Sequence, residues 1–210
     1  LVEHLGTGRQ YNINSKRGNL QILFSRDRAE NILYKNDVAA FAENMDYIES
    51  ANCNYVIIAP AYMIYVQDYS EALESHIQSG ADISLMYHAV DNAKEHYLSC
   101  NILNLNRQKG VESIEANRGT AKNRNIFMDT YIMKKELFMD LVKQARKLSS
   151  MYTLHDIVNS KCSELDVRAI SHHGYFASIT DFKSYYDANM SLINFKTAEE
   201  VFQEEWPVYT

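Results

Sequence analysis

Residues 55–69 form the segment whose side chains are best placed to do chemistry, and they read Tyr-Val-Ile-Ile-Ala-Pro-Ala-Tyr-Met-Ile-Tyr-Val-Gln-Asp-Tyr. The apolar run 55–59 is long enough for one buried strand, and Pro60 ends it because proline has no N–H to donate. Asp68 stands where a helix N-cap belongs, ahead of a helical pattern at 70–79. Loops at the carboxyl ends of strands carry ligands in open α/β sheets. The segment therefore predicts a ligand site.

A second candidate is a polar loop at 117–125, in which Arg118, Lys122 and Arg124 alternate with asparagines. Guanidinium, ammonium and amide groups of this kind can bind an anion. A solvated loop without a ligand is the simpler interpretation of the same composition. The loop is therefore kept as an anion-binding candidate only.

Two other motifs have simple structural explanations. The stretch Gly6-Thr7-Gly8-Arg9 resembles a phosphate loop, but no clean helix follows it, so we predict a surface turn. His172 and His173 are adjacent, and adjacent side chains of a strand point to opposite faces. No cysteine or carboxylate stands at ligand spacing, so we predict a strand-end pair and no metal site.

The composition excludes several classes of partner. The net charge is −6 and no block of basic residues occurs, which argues against nucleic acid and anionic membranes. The longest apolar stretch contains a proline and is too short to span a bilayer. Cys53, Cys100 and Cys162 lie far apart, which suggests free thiols in a reducing compartment, and we expect a cytoplasmic protein. The chain begins at Leu1, without Met and without a signal-peptide pattern, and we expect a fragment of a longer protein.

The remaining periodicities predict one mixed α/β domain over residues 1–210. The strand at 55–59, the helix ending before Gly80 and an apolar run at 82–90 form a β-α-β unit, which implies parallel pairing. Residues 100–106 and 110–114 form a hairpin pattern. We therefore expect a mixed, mostly parallel sheet flanked by helices. Further helices are predicted at 30–50, 134–148, 154–162 and 181–193, and further strands at 20–24, 126–133, 167–170 and 175–179.

Several stretches resemble one known family. Ile64, Tyr65, Asp68 and Tyr69 match the signature Gly-Asp-His-Ile-Tyr-Lys-Met-Asp-Tyr of the ADP-glucose pyrophosphorylases. Residues 184–192 are close to that family's Tyr-x-x-Ala-Asn-Met-x-Leu helix, and 206–210 match its Trp-Pro-Ile-Tyr-Thr. Weaker matches lie at 31–36, 128–135 and 174–176, in the family's own order. The resemblance thus extends over nearly the whole chain.

The departures from the family pattern fall at its metal-binding and substrate-binding positions. Tyr62 and Ser178 stand where the family has its two metal-binding acids. Residues 28–31 replace a Gly-Thr-Ala-Asp segment. The sugar-phosphate positions are changed as well: Ala116 and Asn117 replace a Glu-Lys pair, Phe127 a serine and Asp129 a glycine.

The resemblance implies a Rossmann-like nucleotidyltransferase domain, present in part, whose residues from about 195 lead toward an absent C-terminal β-helix. It further implies a glycogen-synthesis subunit without catalytic groups of its own, which tunes a catalytic paralogue in a hetero-oligomer or associates with itself. No cofactor is expected in such a chain. The alternatives are an active, Mg²⁺-dependent enzyme that makes ADP-glucose from ATP and glucose 1-phosphate, and a structural partner that binds no small molecule.

Overall fold

The computed structural model describes residues 20–23, 37–148 and 153–203. In these ranges the helices are α1 (Asp37–Glu43), α2 (Met45–Ser50), α3 (Tyr69–Ser79), α4 (Lys135–Lys147), α5 (Leu154–Lys161), α6 (Phe182–Ser191) and α7 (Phe195–Val201). The strands are β1 (Tyr55–Ile58), β2 (Met63–Tyr65), β3 (Ile83–Val90), β4 (Asn101–Leu105), β5 (Val111–Ala116), β6 (Arg124–Lys134), β7 (Val167–His172) and β8 (Phe176–Ser178).

The main sheet is mostly antiparallel, so the prediction of a mostly parallel sheet is wrong. Its order is β5-β4-β6-β3-β7, and β1 pairs with the far end of β6. Among the described strands, only β3 and β7 pair in parallel. The strands β1, β3 and β4 all run antiparallel to β6.

The error has a clear physical cause. β1 and β3 do run in the same direction, as the helix between them requires, because both are antiparallel to β6. However, Ile58 and Leu85 both pair with Tyr131, so β6 lies between β1 and β3. A local β-α-β pattern fixes the direction of two strands, but it does not reveal a later strand that enters between them.

The two faces of the sheet bury two hydrophobic clusters. Side chains alternate along β3, so that Leu85 and Tyr87 contribute to one cluster and Met86 to the other. The first cluster includes Phe138 and Leu141 of α4 and residues of α5. The second includes residues of α3, β2 and β8. The short ribbon formed by β2 and β8 is thus held against one face of the sheet.

Most predicted boundaries of the central elements are confirmed. Asp68 caps α3 by accepting a hydrogen bond from the backbone of Ser70, and Gly80 ends this helix with φ of 68°. Asp181 and Thr153 cap α6 and α5. The β4–β5 hairpin is also confirmed.

Several predictions outside the central elements are not confirmed. The predicted helix 30–50 is described only from Asp37, and there it divides into α1 and α2 around Asn44. Residues 20–23 contain no strand. The motif at 6–9 and the matches at 31–36 and 206–210 lie outside the described residues. Within the described ranges, no helix is long and apolar enough to cross a membrane.

Candidate functional site

The β2–β8 ribbon brings positions 62 and 178 together. Met63 pairs with Ser178 across the ribbon. The backbone N–H of Ile179 donates to the carbonyl oxygen of Tyr62 at 2.8 Å. Tyr62 follows the end of β1 by four residues, so both positions lie near the strand end that the sequence pattern predicts as a ligand site.

The Tyr62 side chain is engaged with a carboxylate. Its hydroxyl donates a hydrogen bond to Oδ2 of Asp129. Burial raises the pKa of the Tyr62 phenol, and the bond to Asp129 raises it further. Burial also raises the pKa of the Asp129 carboxyl, although the bond from Tyr62 opposes this shift. The Oδ1 atom of Asp129 is buried and has no hydrogen-bond partner among the described residues.

Asp129 reaches Tyr62 from an irregular point of β6. The register of β3 against β6 shifts between Leu85, which faces Tyr131, and Tyr87, which faces Phe127, so that β6 carries a bulge between these pairs. Asp129 lies in this bulge and has φ of 45°, in the left-handed region that glycine adopts freely and that aspartate tolerates better than most residues. The backbone at this position therefore suits the glycine of the family pattern.

Ser178 makes a second contact at the same end of the sheet. The thiol of Cys100 lies 3.3 Å from the Ser178 hydroxyl oxygen, and burial raises the pKa of this thiol. Both residues are buried. Ser178 also lines a cleft of about 250 Å³ together with Tyr97 and Phe176.

Asn117 follows β5 directly and adjoins Cys100, whose carbonyl oxygen accepts a hydrogen bond from the Asn117 backbone at 2.9 Å. Its side-chain amide donates to the carbonyl oxygens of Ala93, His96 and Tyr97 at 2.9, 3.2 and 3.0 Å. Its side-chain oxygen accepts from Gly119 at 3.1 Å. The side chain is 3% exposed. Asn117 thus ties two loops together, and its polar atoms are occupied by the protein itself.

The other sugar-phosphate positions of the resemblance are dispersed. Ala116 pairs with Asn101 at the end of β5 and is exposed. Phe127 is fully buried and packs edge-to-face on Tyr131, with ring centroids 5.1 Å apart. Phe127 therefore belongs to the main hydrophobic core.

The cationic residues do not converge on one point. Arg118 and Lys122 are exposed, whereas Arg124 is partly buried and already begins β6. The Arg124 guanidinium donates to the hydroxyl of Thr120 at 3.0 Å. The described contacts therefore do not define an anion site, and this interpretation stays a prediction.

A histidine–aromatic cluster behind the ribbon was missed by sequence reasoning. The ring of His88 stacks on Phe176 at 5.0 Å and lies 5.5 Å from the ring of His172. His172 faces Gln67 Oε1 at 3.0 Å and the Tyr175 carbonyl oxygen at 3.3 Å, whereas His173 is exposed. Burial lowers the pKa of His172, and burial and the neighbouring His172 lower the pKa of His88. No spacing in the sequence links positions 88, 172 and 176.

Magnesium is the ion that the family resemblance implies, and it prefers carboxylate oxygens and water. Positions 62 and 178 offer hydroxyl groups, and the Asp129 carboxylate already accepts from Tyr62. Across the described residues, no group of three or more His, Cys, Asp or Glu side chains could hold a metal. The described residues therefore do not fit a magnesium ion.

Comparison with protein families matches residues 1–194 to the family described as nucleotidyl transferase. Similar curated proteins include the glucose-1-phosphate adenylyltransferase of Clostridium perfringens (strain 13 / Type A), which is 28% identical over 218 residues. That of Mycoplasma mobile is 24% identical over 216 residues. These alignments cover 100% of this chain but 54% and 56% of the two relatives, so the chain spans about half their length.

A solved structure shares the fold of this chain. HddC from Yersinia pseudotuberculosis, complexed with GMP-PN, matches with a TM-score of 0.58 at 18% sequence identity. The match covers 75% of this chain and 62% of that chain. At this identity the likeness shows the fold alone.

Proposed function

Because this chain belongs to the nucleotidyl transferase family, we propose that it is part of a glucose-1-phosphate adenylyltransferase-like subunit that is catalytically silent and regulatory. In this proposal the subunit serves glycogen synthesis in the cytoplasm and acts through a catalytic paralogue. The substrate class comes from the glucose-1-phosphate adenylyltransferases to which the chain is similar, and the chain covers about half of their length.

The observation that carries the proposal is the contact between Tyr62 and Asp129. The resemblance expects a metal-binding acid at position 62, where a phenol is hydrogen-bonded to a neighbouring carboxylate. At position 178, the second expected acid, a buried serine contacts Cys100. Both positions are satisfied by the protein's own side chains.

Electrostatics explains why such a site would be silent. Nucleotidyl transfer builds negative charge on the departing pyrophosphate, which carboxylate-held Mg²⁺ normally neutralises. Loss of one such stabilising group costs about 10²–10³ in rate. The chain lacks both acids, and Asn117 stands in place of the lysine that would hold the sugar phosphate. Their combined loss leaves little transfer activity.

One observation favours the alternative of an active enzyme. Asp129 places a carboxyl group in contact with position 62, so an acidic side chain is still present at this end of the sheet. In that alternative the acid has moved from the loop after β1 to the bulge of β6. A purely structural partner remains the third candidate, and binding measurements distinguish it from a regulatory subunit.

An exposed apolar stripe supports association with another subunit. Phe182, Tyr186 and Met190 are spaced four residues apart on α6 and are 80%, 54% and 46% exposed. Ile193 and Phe195, which follow this helix, are also exposed. Contiguous apolar surface of this kind is typical of interaction sites.

The test is to mix the full-length protein with a catalytic paralogue and to measure complex formation and kinetics. The proposal predicts co-elution of the two proteins and a change in the activity or effector response of the paralogue. Separate elution with unchanged kinetics would refute it.

A further inference from the structure

The hydrogen bond between Tyr62 and Asp129 has a defined donor and a defined acceptor. The tyrosine is the donor and the carboxylate is the acceptor. Tyr62 is 39% exposed to solvent. Asp129, by contrast, belongs to the central strand β6 and is held between residues that pair with β3. In this contact the tyrosine is therefore the more exposed partner, and the aspartate is the partner that lies within a paired strand.

The backbone conformation and the surroundings of Asp129 both carry a free-energy cost. Asp129 has φ of 45°, where L-residues other than glycine are disfavoured. Its Oδ1 atom is buried without a hydrogen-bond partner among the described residues, which is unfavourable for a polar atom. The bond from Tyr62 is the described side-chain contact that offsets these terms.

We propose that Asp129 is a positioning residue that holds the Tyr62 ring across the site after β1, around positions 62 and 178, and so closes this site to phosphate-bearing ligands. The proposal rests on the proposed function, because it takes position 62 to lie in the former substrate site. It adds that the closure depends on one hydrogen bond between two side chains. Closure is therefore reversible by a single substitution on β6.

Two substitutions at position 129 separate positioning from charge. Asp129→Asn removes the charge but keeps an oxygen that accepts from Tyr62, and asparagine tolerates a left-handed backbone. Asp129→Gly removes the acceptor and suits the same backbone. If the hydrogen bond positions the ring, the asparagine variant stays closed and the glycine variant opens. If repulsion by the carboxylate excludes phosphate, both variants open.

The position of the ring is measured by ¹⁹F NMR of the full-length protein labelled with 3-fluorotyrosine. The Tyr62 signal is the one absent from Tyr62→Phe, and Tyr47→Phe identifies a matched tyrosine that is 41% exposed. We expect the Tyr62 signal to keep its shift in Asp129→Asn and to move toward the Tyr47 signal in Asp129→Gly. An unchanged Tyr62 signal in Asp129→Gly would overturn the proposal.

Ligand access is measured by calorimetry with glucose 1-phosphate. We expect Asp129→Gly and Tyr62→Ala to bind at least about tenfold more tightly than the wild type and Asp129→Asn. Equal gains in Asp129→Asn and Asp129→Gly would assign the closure to charge and refute positioning. Melting curves establish that each variant is folded, and Tyr62→Ala tests the closure without any change on β6.

The proposed silent function and the positioning role of Asp129 can be refuted independently. Turnover by the wild-type protein would refute the proposed silent function, whatever the ¹⁹F signals show. If the ¹⁹F signal of Tyr62 does not depend on residue 129, the positioning role is refuted, whatever the turnover.

Discussion

The side-chain amide of Asn117 donates to the carbonyl oxygen of Ala93 at 2.9 Å, across 24 residues of sequence. Together with its bonds to His96 and Tyr97, this contact fixes the loop before β4 to the end of β5. Asn117, which the resemblance places at a sugar-phosphate lysine position, therefore has a structural role in this chain.

Replacement of Asn117 by alanine should destabilise the protein. The substitution removes two N–H groups that donate to three carbonyl oxygens, of which that of Tyr97 also accepts from the backbone of Cys100. We expect a loss of about 2 kcal/mol in the free energy of unfolding. Urea denaturation measures it. Asn123, which is exposed in the following loop, is the matched control, and Asn123→Ala should change stability by less than about 0.5 kcal/mol. Equal effects of the two substitutions would contradict the structural role of Asn117.

Restoration of activity should require several substitutions together. Tyr62→Asp alone removes the phenol that donates to Asp129 and adds a second acid to the same end of the sheet, so we pair it with Asp129→Gly. We expect single reversions to leave turnover undetectable, and transfer to be measurable, if at all, only when Ser178→Asp and Asn117→Lys are added, because such groups act as a unit. Full recovery by Tyr62→Asp alone, measured as pyrophosphate release, would contradict this coupling.

The sequence predicted the local elements near the site better than their arrangement. The caps at Asp68 and Asp181 and the turn at Gly80 follow from side chains within a few residues, which is why they could be placed. The position of β6 between β1 and β3 depends on long-range pairs, such as Ile58 with Tyr131 and Leu85 with Tyr131, and no local pattern encodes it.

The same limit applies to the site. The strand, loop and helix at 55–79 were recognisable from Pro60 and Asp68. The contact between Tyr62 and Asp129 joins residues 67 positions apart. It depends on a bulge in β6 that no sequence pattern indicates. At position 129 the sequence indicated only that aspartate replaces the glycine of the family pattern.

Stability should fall on acidification through His88 and His172. Burial lowers the pKa of both imidazoles in the folded protein, while in the unfolded chain it is about 6.5. Below that pH the unfolded chain binds protons that the folded state does not, so unfolding becomes more favourable as the pH falls. We expect the melting temperature of His172→Gln to depend less on pH than that of the wild type, whereas exposed His173→Gln should match the wild type. Identical pH profiles for all three proteins would contradict this assignment.

Association should depend on the stripe formed by Phe182, Tyr186 and Met190. Charged side chains at two of these exposed positions would disfavour burial against another subunit but should leave the fold intact. We expect the Phe182→Glu, Met190→Glu double variant to melt like the wild type and to elute apart from the catalytic paralogue. Asp187→Lys on the same helix is the control for a general charge effect. Co-elution of the double variant would show that the stripe is not the contact surface.

The central claim is that this chain does not catalyse nucleotidyl transfer by itself. The most direct measurement is ADP-glucose formation by the full-length protein from ATP and glucose 1-phosphate with Mg²⁺, beside the Clostridium perfringens relative under the same conditions. The absence of both expected acids at positions 62 and 178 predicts no detectable product. Turnover within about tenfold of the relative, equivalent to a barrier difference of about 1.4 kcal/mol, would contradict it.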